Sequence, residues 1–548
     1  MQMLRGLGSC AVLFLSLAPR ALSQEHTRFE RFLGIPARQR PAAPLPGPDG
    51  LRDHVVNGKL VVSLDDGIRL ALANNTDIRL DHVQIETAEN SLHRSHQAFD
   101  PLFASSFSTQ RAKSPSFTQL AGAPVASALT QSTQFGYSQT FQTGTNFQTL
   151  FIANKLSSNS SLNFVNPSIP TSLAFTITQP LLRGRGLFPN RAPILIARRN
   201  LRQAHSVFEF EVNDVILLAV QQYWNVVQAR ENLNVQRESL DAAQKSYDHD
   251  KKALELGALP PLDIYRSESQ VASRRVAAIQ AEYALKQAED QFRRVIGADL
   301  DPAIRALDLE LPDTPEPGSE LLTTDIATAL ERALANRPEL EAARELLAAN
   351  EMNVRLAHNS LQPNLSLSLI YSGNGLGGNQ FDTSVTPPQL VSAGGLGDSL
   401  DQTFHFSFPV YGFSLLLNLP IKNHAAEASL GDALVSRRRT QYQERQTRQG
   451  ITLEVTNAVH MLEQAKLSVE AAKVALDLAQ KNLHAEERKY ELGAQTVFFV
   501  LEAQTELAQA ELSLVQAQIG YQLAVAAVDH ATGDLLTHHH VQIVEPTK

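Results

Sequence analysis

The chain has 548 residues, a net charge of −9, 19% charged side chains and only 6% aromatics. Excess negative charge argues against nucleic acid as a partner, since phosphate binding draws on Lys and Arg. The single cysteine, Cys10, excludes a disulfide framework and a cysteine-based metal site.

The N-terminus reads MQMLRGLGSCAVLFLSLAPRALSQ. Arg5 supplies a basic n-region, Ala11–Leu17 an apolar core and Ala21-Leu22-Ser23 a small-x-small cleavage site. Residues 1–23 are therefore predicted to be a secretory signal peptide. Cys10 precedes most of the apolar run, which argues against lipidation. Losing Arg5 and Arg20 with the leader takes the charge to about −11. Residues 24–60 read as a Pro-rich extension. No later apolar run reaches about 20 residues, so a membrane span, if there is one, has to be a β-barrel.

From residue 61 the chain reads as two copies of one plan. Ala71-Leu72-Ala73-Asn74 matches Ala333-Leu334-Ala335-Asn336, and Pro101 matches Pro363, at a constant offset of 262. A second match, at offset 236, joins Leu240 to Leu476, Gly257 to Gly493 and Gly297 to Gly533. Copy one spans 61–300, copy two 322–533, with an acidic, Pro-containing linker at 301–321 and a tail at 534–548. Each copy has a short helix, a medium helix (76–98, 338–359), an extended region (101–182, 363–420), a very long helix (191–256, 424–491), a glycine break and a return helix (262–297, 495–533).

From Ile194 to Leu256 there is neither Gly nor Pro, enough for a helix of about 95 Å. Val455, Leu462, Val469, Leu476 and Leu483 recur every seventh residue, as do Val226, Leu233, Leu240 and Tyr247 in copy one. That spacing is the seam of a coiled coil. The helices break at LELGALPPLD (254–263) and YELGAQTVFF (490–499). A mid-helix glycine costs about 1 kcal/mol relative to alanine. Gly257 and Gly493 read instead as left-handed stops at the tips of two helical hairpins, and Pro260 and Pro261 as the start of the next helix. Taken alone, both tips are adequately explained as economical turns.

In the extended regions apolar and polar residues alternate. Leu173, Phe175 and Ile177, then Leu365, Leu367 and Leu369, then Phe413, Leu415 and Leu417 stand opposite Ser, Thr, Ala, Gly and Asn. The secreted context and polar opposite faces favour membrane strands with these residues toward lipid. The alternation gives two spanning strands per copy, four per chain. Residues 134–151 either add a hairpin or extend a strand, and 371–402 read as a long mobile loop. Four strands cannot close a barrel, the smallest having about eight, so several copies must share one.

Little else suggests chemistry. The tail His538-His539-His540 lacks a spacing that aims three imidazoles at one metal, and Tyr223 and Trp224 lie mid-helix where packing explains them. No phosphate loop or nucleophile elbow occurs, so neither an enzyme nor a cofactor is expected.

The duplicated ALANN and ALANRPEL motifs, the SLAFTITQPLLRGRG and SLLLNLPIKN junctions and the paired LGA tips, in this order, resemble the TolC-like outer-membrane efflux proteins over nearly all of the chain beyond the leader. The resemblance implies a mainly α fold with membrane β. A homotrimer closes a twelve-stranded β-barrel, four strands from each chain, and a long α-helical barrel continues it into the periplasm. It further implies a passive outer-membrane duct carrying small molecules or proteins, set in outer-membrane lipid. Its partners would be a periplasmic adaptor and an inner-membrane pump of the RND or ABC type. Leu256, Gly257, Ala258, Leu492, Gly493 and Ala494 would then dock the adaptor. The family's acidic gate after the second tip falls on Phe499 and Glu502, and the copy-one counterparts are Asp263 and Arg266. Phe499 departs from the acidic pattern, so the expected gate is one acidic ring with an aromatic constriction. The alternative reading is a periplasmic coiled-coil adaptor or scaffold without spanning strands.

Overall fold

The computed structural model describes residues 47–115, 125–160, 163–256, 262–318, 321–385, 388–492, 494–539 and 541. The chain divides into two units, Met1–Pro48 and Asp49–Lys548. The predicted signal peptide and most of the Pro-rich extension lie outside the described residues. All described helices and strands belong to the second unit.

Strands β1 (Val55–Val56) and β2 (Lys59–Val61) form a short antiparallel hairpin. Helix α1 (Leu64–Asn74) follows, its first turn capped by Ser63, which accepts from the Asp66 amide. The chain breaks at Asn75, whose side chain caps α2 (Thr76–Ser95) through the Asp77 amide. Each cap satisfies a backbone donor that the first helical turn leaves unpaired. Strands β3 (Leu102–Pro115), β4 (Val125–Thr140), β5 (Asn146–Ser158) and β6 (Ile169–Pro180) come next, then α3 (Leu187–Glu255) and α4 (Asp263–Val295). Strand β7 (Asp308–Glu310) pairs in parallel with β2, tying the linker between the copies back to the start of the unit. Copy two runs through α5 (Ile326–Asn336), α6 (Pro338–Ser360), β8 (Asn364–Gly377), a small hairpin β9 (Gln380–Asp382) and β10 (Gln389–Ser392), α7 (Leu396–Phe404), β11 (Phe408–Asn418), α8 (His424–Glu491) and α9 (Val497–Thr532).

The heptad seams face inward where the helices are most crowded. Val226, Leu233, Val455, Leu462 and Val469 are buried, whereas Leu240, Tyr247, Leu476 and Leu483, nearer the glycine breaks, are half-buried. One hydrophobic cluster gathers on α3 around Tyr223, Trp224 and Phe292, and a second joins α5, α8 and α9 around Val455, Leu462 and Tyr521. Fully buried side chains of this size contribute roughly 1.5–3 kcal/mol each. The Tyr223 hydroxyl donates to Asp313 Oδ2 at 2.5 Å, and the same oxygen accepts from the Leu64 amide at 2.8 Å. The mid-helix aromatics are thus core, and one of them fixes the linker.

The large sheet has six strands in the order β11-β8-β6-β5-β4-β3, each antiparallel to its neighbour. This corrects the expected four strands per chain. Residues 134–151 supply the end of β4, the turn after it and the start of β5, so an extra hairpin is inserted in copy one. Alternation missed it because Leu150, Ile152 and Leu156 lie on the opposite face from Phe147 and Phe151, so neither face of β5 reads as purely polar. The turn closes by bonds between Phe141 and Thr145 and between Gly144 and Phe141, each 2.8 Å. Gly144 has φ 85°, and a Cβ there would lie 2.7 Å from Asn190 Nδ2 at the start of α3. Only glycine fits both the conformation and the space.

The stretch expected to be a mobile loop, 371–402, is also corrected. β8 runs on to Gly377, and α7 folds back onto it. The glycines that read as loop are the space into which that helix packs.

Candidate functional site

Register places all nine alternating residues on one sheet face. Phe175 is opposite Tyr371, Ile177 opposite Leu369, and Phe413, Leu415 and Leu417 opposite Leu369, Leu367 and Leu365, while Leu173 is opposite Gly373. Paired residues of an antiparallel ladder project to the same side. The face continues through Phe151, Phe135 and Phe103, whose rings follow one another at 6.3 and 6.4 Å. The opposite face carries Ser172, Thr176, Thr178, Ser366, Ser368 and Ser414.

At the hairpin tips, Leu256 and Leu492 are 84% and 72% exposed, more than a core role would allow. The second turn is closed by the Ala494 amide on the Lys489 carbonyl at 2.9 Å. Gly257, Ala258, Gly493 and the Asp263 side chain lie outside the described residues.

Just beyond the tips, α4 and α9 form an open groove lined by Leu262, Arg266, Ser269, Phe498, Glu502 and Thr505, among others. Arg266 and Glu502 therefore share one groove. The Arg266 guanidinium lies 5.9 Å from the centre of the Phe498 ring, a cation–π distance. Phe499 does not line the groove; its ring packs edge-on against Phe498 at 5.4 Å, so the aromatic beside Glu502 is Phe498.

Two polar clusters escaped the sequence reading. Asp250 on α3 is 1% exposed and accepts from Ser267 Oγ of α4 at 2.5 Å and from the Tyr490 hydroxyl of α8 at 3.1 Å. One carboxylate thus joins both hairpins close to their tips. The signal was present: Asp250 lies one heptad beyond buried Ala243, where an apolar residue belongs.

The second cluster sits where α9 ends. His530 Nε2 is 2.8 Å from Asp214 Oδ1 of α3, and its Nδ1 is 3.2 Å from Glu454 Oε1 of α8. Arg337, at the α5–α6 junction, bonds the same Glu454 through both terminal nitrogens, at 3.0 and 2.8 Å. Burial works to lower the His530 pKa, but its bonds to Asp214 and Glu454 outweigh that and hold it up to about 9. Burial likewise pushes Glu454 up, yet His530 and Arg337 outweigh it and bring the carboxyl down to about 2. In copy one the positions matching Arg337, Glu454 and His530 are Asn75, Leu218 and Arg294, so the duplication gave no hint of this cluster.

Residues 329–534 match the family described as outer membrane efflux protein. The chain is 26% identical over 345 residues to the outer membrane efflux protein BepC of Brucella suis, covering 62% of this chain and 66% of that protein, just under two thirds of its length. It is 23% identical over 340 residues to the outer membrane protein TolC of Vibrio cholerae, covering 62% and 72%. The fold is similar to that of the Campylobacter jejuni CmeC outer membrane channel, with a TM-score of 0.61, 17% identity and 95% of both chains covered.

Proposed function

We propose that the chain is a TolC-like outer-membrane efflux protein and that three copies form one passive duct across the outer membrane. The duct carries what an inner-membrane pump of the RND or ABC type delivers through a periplasmic adaptor, small molecules or proteins.

The observation that carries this reading is the sheet. Across β6, β8 and β11 one face is apolar and the other richer in Ser, Thr and Asn, and β3 and β11, at the two edges of the sheet, are exposed along their whole length. An open edge in lipid leaves N–H and C=O groups unpaired at several kcal/mol each, so the edges need partners. β3 leaves α2 and β11 leads into α8, so the two edge strands run in opposite directions. The β11 edge of one copy can then pair antiparallel with the β3 edge of the next. Six strands from each of three copies bring eighteen to the wall, against the twelve reckoned from four per chain. A periplasmic adaptor would have no use for such a sheet.

At the other end, the exposed leucines of the tips offer contacts to the adaptor, and the groove holding Glu502 and Arg266 lines the mouth. The tie through Asp250 holds the two hairpins together when the mouth is closed.

The test is assembly and conductance. In mild detergent the protein should migrate as a heat-modifiable trimer and, in a planar bilayer, open discrete ion-conducting steps. A stable monomer that keeps its full strand content would overturn the duct.

A further inference from the structure

Helix α7 lies on the apolar face of the sheet, in a track that β8 leaves bare. Below the track β8 presents Leu365, Leu367, Leu369 and Tyr371; along it come Gly373, Gly375 and Gly377. A Cβ on Gly375 would lie 2.0 Å from the Ser399 carbonyl oxygen, and one on Gly377 2.0 Å from that of Gly395. The helix is pinned by Thr171 of β6, 3% exposed, whose hydroxyl is 2.6 Å from both Ser399 Oγ and Thr403 Oγ1. Its docking face is therefore small and polar, the reverse of what an apolar face would recruit from solution.

The rest of the helix is divided. At 100° per residue, Leu396, Leu400 and Phe404 fall on one flank and Asp398 on the opposite one, with Asp401 midway between Phe404 and Asp398 on the side turned away from Ser399 and Thr403. Leu396 is 47% exposed and Phe404 57%. The Phe404 ring stacks on Phe151 at 6.1 Å and so extends the row of Phe103, Phe135 and Phe151 across the sheet. An apolar flank continuous with an apolar face, beside an acidic flank, is how an interfacial helix lies between acyl chains and headgroups.

We propose that α7 is an outer-leaflet interfacial helix, with lipid as its partner: Leu396, Leu400 and Phe404 contact acyl chains, and Asp398 and Asp401 face the headgroup layer. Three such helices fix the depth of the barrel in the bilayer. The inference rests on the barrel reading above, and its test separates the two.

The only tryptophan, Trp224, is 5% exposed on α3 and serves as a constant reference. Phe404→Trp, Asp401→Trp and Leu415→Trp would each be reconstituted as full-length protein in phosphatidylcholine vesicles carrying bromine at graded depths on the acyl chains. The expected result is loss of most Phe404→Trp emission with shallow bromine, loss of Leu415→Trp emission with deep bromine, and little loss for Asp401→Trp. If Leu415→Trp is quenched but Phe404→Trp responds only to aqueous iodide, α7 stands clear of the lipid and the inference fails alone. If neither responds to bromine, the barrel reading fails and takes the inference with it.

Discussion

Gly297 turns with φ 74° directly over Asn74, and a Cβ built on it would lie 2.6 Å from the Asn74 Cβ. Gly533, with φ 77°, makes the same approach to Asn336, at 3.2 Å. In each copy the end of the return helix thus closes on the asparagine that ends the first short helix. Asn74 is buried and held by two bonds to the Asp49 backbone, whereas Asn336 is exposed, holds one side-chain bond, to Asp534, and leaves the added Cβ the wider gap.

Gly297→Ala should therefore destabilise the protein more than Gly533→Ala. The left-handed backbone alone costs an L-residue about 1–2 kcal/mol, and the overlap with Asn74 adds to it. Thermal unfolding of both variants, followed by helical circular dichroism, checks the order. Equal shifts would mean that Asn74 moves as freely as Asn336.

The His530 cluster should give stability a pH window. The folded pKa of His530, about 9, lies above its ordinary 6.5, so its contribution is complete below about pH 6.5 and is lost as pH rises through 9. The folded pKa of Glu454, about 2, lies below its ordinary 4.5, so its contribution is present above pH 4.5 and is lost as pH falls toward 2. His530→Gln should remove the alkaline loss and cost on the order of 3 kcal/mol at neutral pH, because two carboxylates lose their shared cation. Denaturation midpoints between pH 5 and 10 check both; an unchanged alkaline slope in His530→Gln would assign that loss to another group.

The tips should matter for export and not for insertion. Gly257→Trp and Gly493→Trp leave the sheet untouched, since helices of 69 and 68 residues separate it from the tips, a distance of about 100 Å. Membrane fractionation should be normal while export in intact cells falls. Normal export by the double variant would end the docking proposal.

Glu502 should set ion preference. In the proposed trimer three copies of this carboxylate around one axis would attract cations, so Glu502→Gln should lower cation selectivity, read as the reversal potential in a salt gradient. Arg266→Ala should raise the conductance of the resting channel. An unmoved reversal potential would return Glu502 to the role of a solvated surface acid.

Asp250→Asn should loosen the resting mouth as well. Replacing the carboxylate weakens its bond to Ser267 within its own hairpin and its bond to Tyr490 of the other hairpin. Higher single-channel conductance with an unchanged melting temperature is expected; a lower melting temperature with unchanged conductance would make Asp250 a folding residue alone.

Features that are local or periodic were legible in the residues alone. Heptads placed Val226, Leu233, Val455 and Leu462 in helix seams, and period-two alternation put Leu365, Leu367 and Leu369 on one face of a strand, because a single side-chain period dictates each. Duplication revealed the shared plan, and the repeated motifs carried the resemblance to the TolC-like efflux proteins. The rest depends on contacts between segments distant in the chain. The inserted β4–β5 hairpin was hidden because both faces of β5 carry apolar residues. The track of Gly373, Gly375 and Gly377 read as loop because nothing in the strand announces the helix that fills it. Asp214 and His530 are 316 residues apart, and Asp250 and Tyr490 are 240 apart, with no period linking either pair. Such contacts exist only once four long helices are laid side by side, so only the packed structure could bring those side chains together.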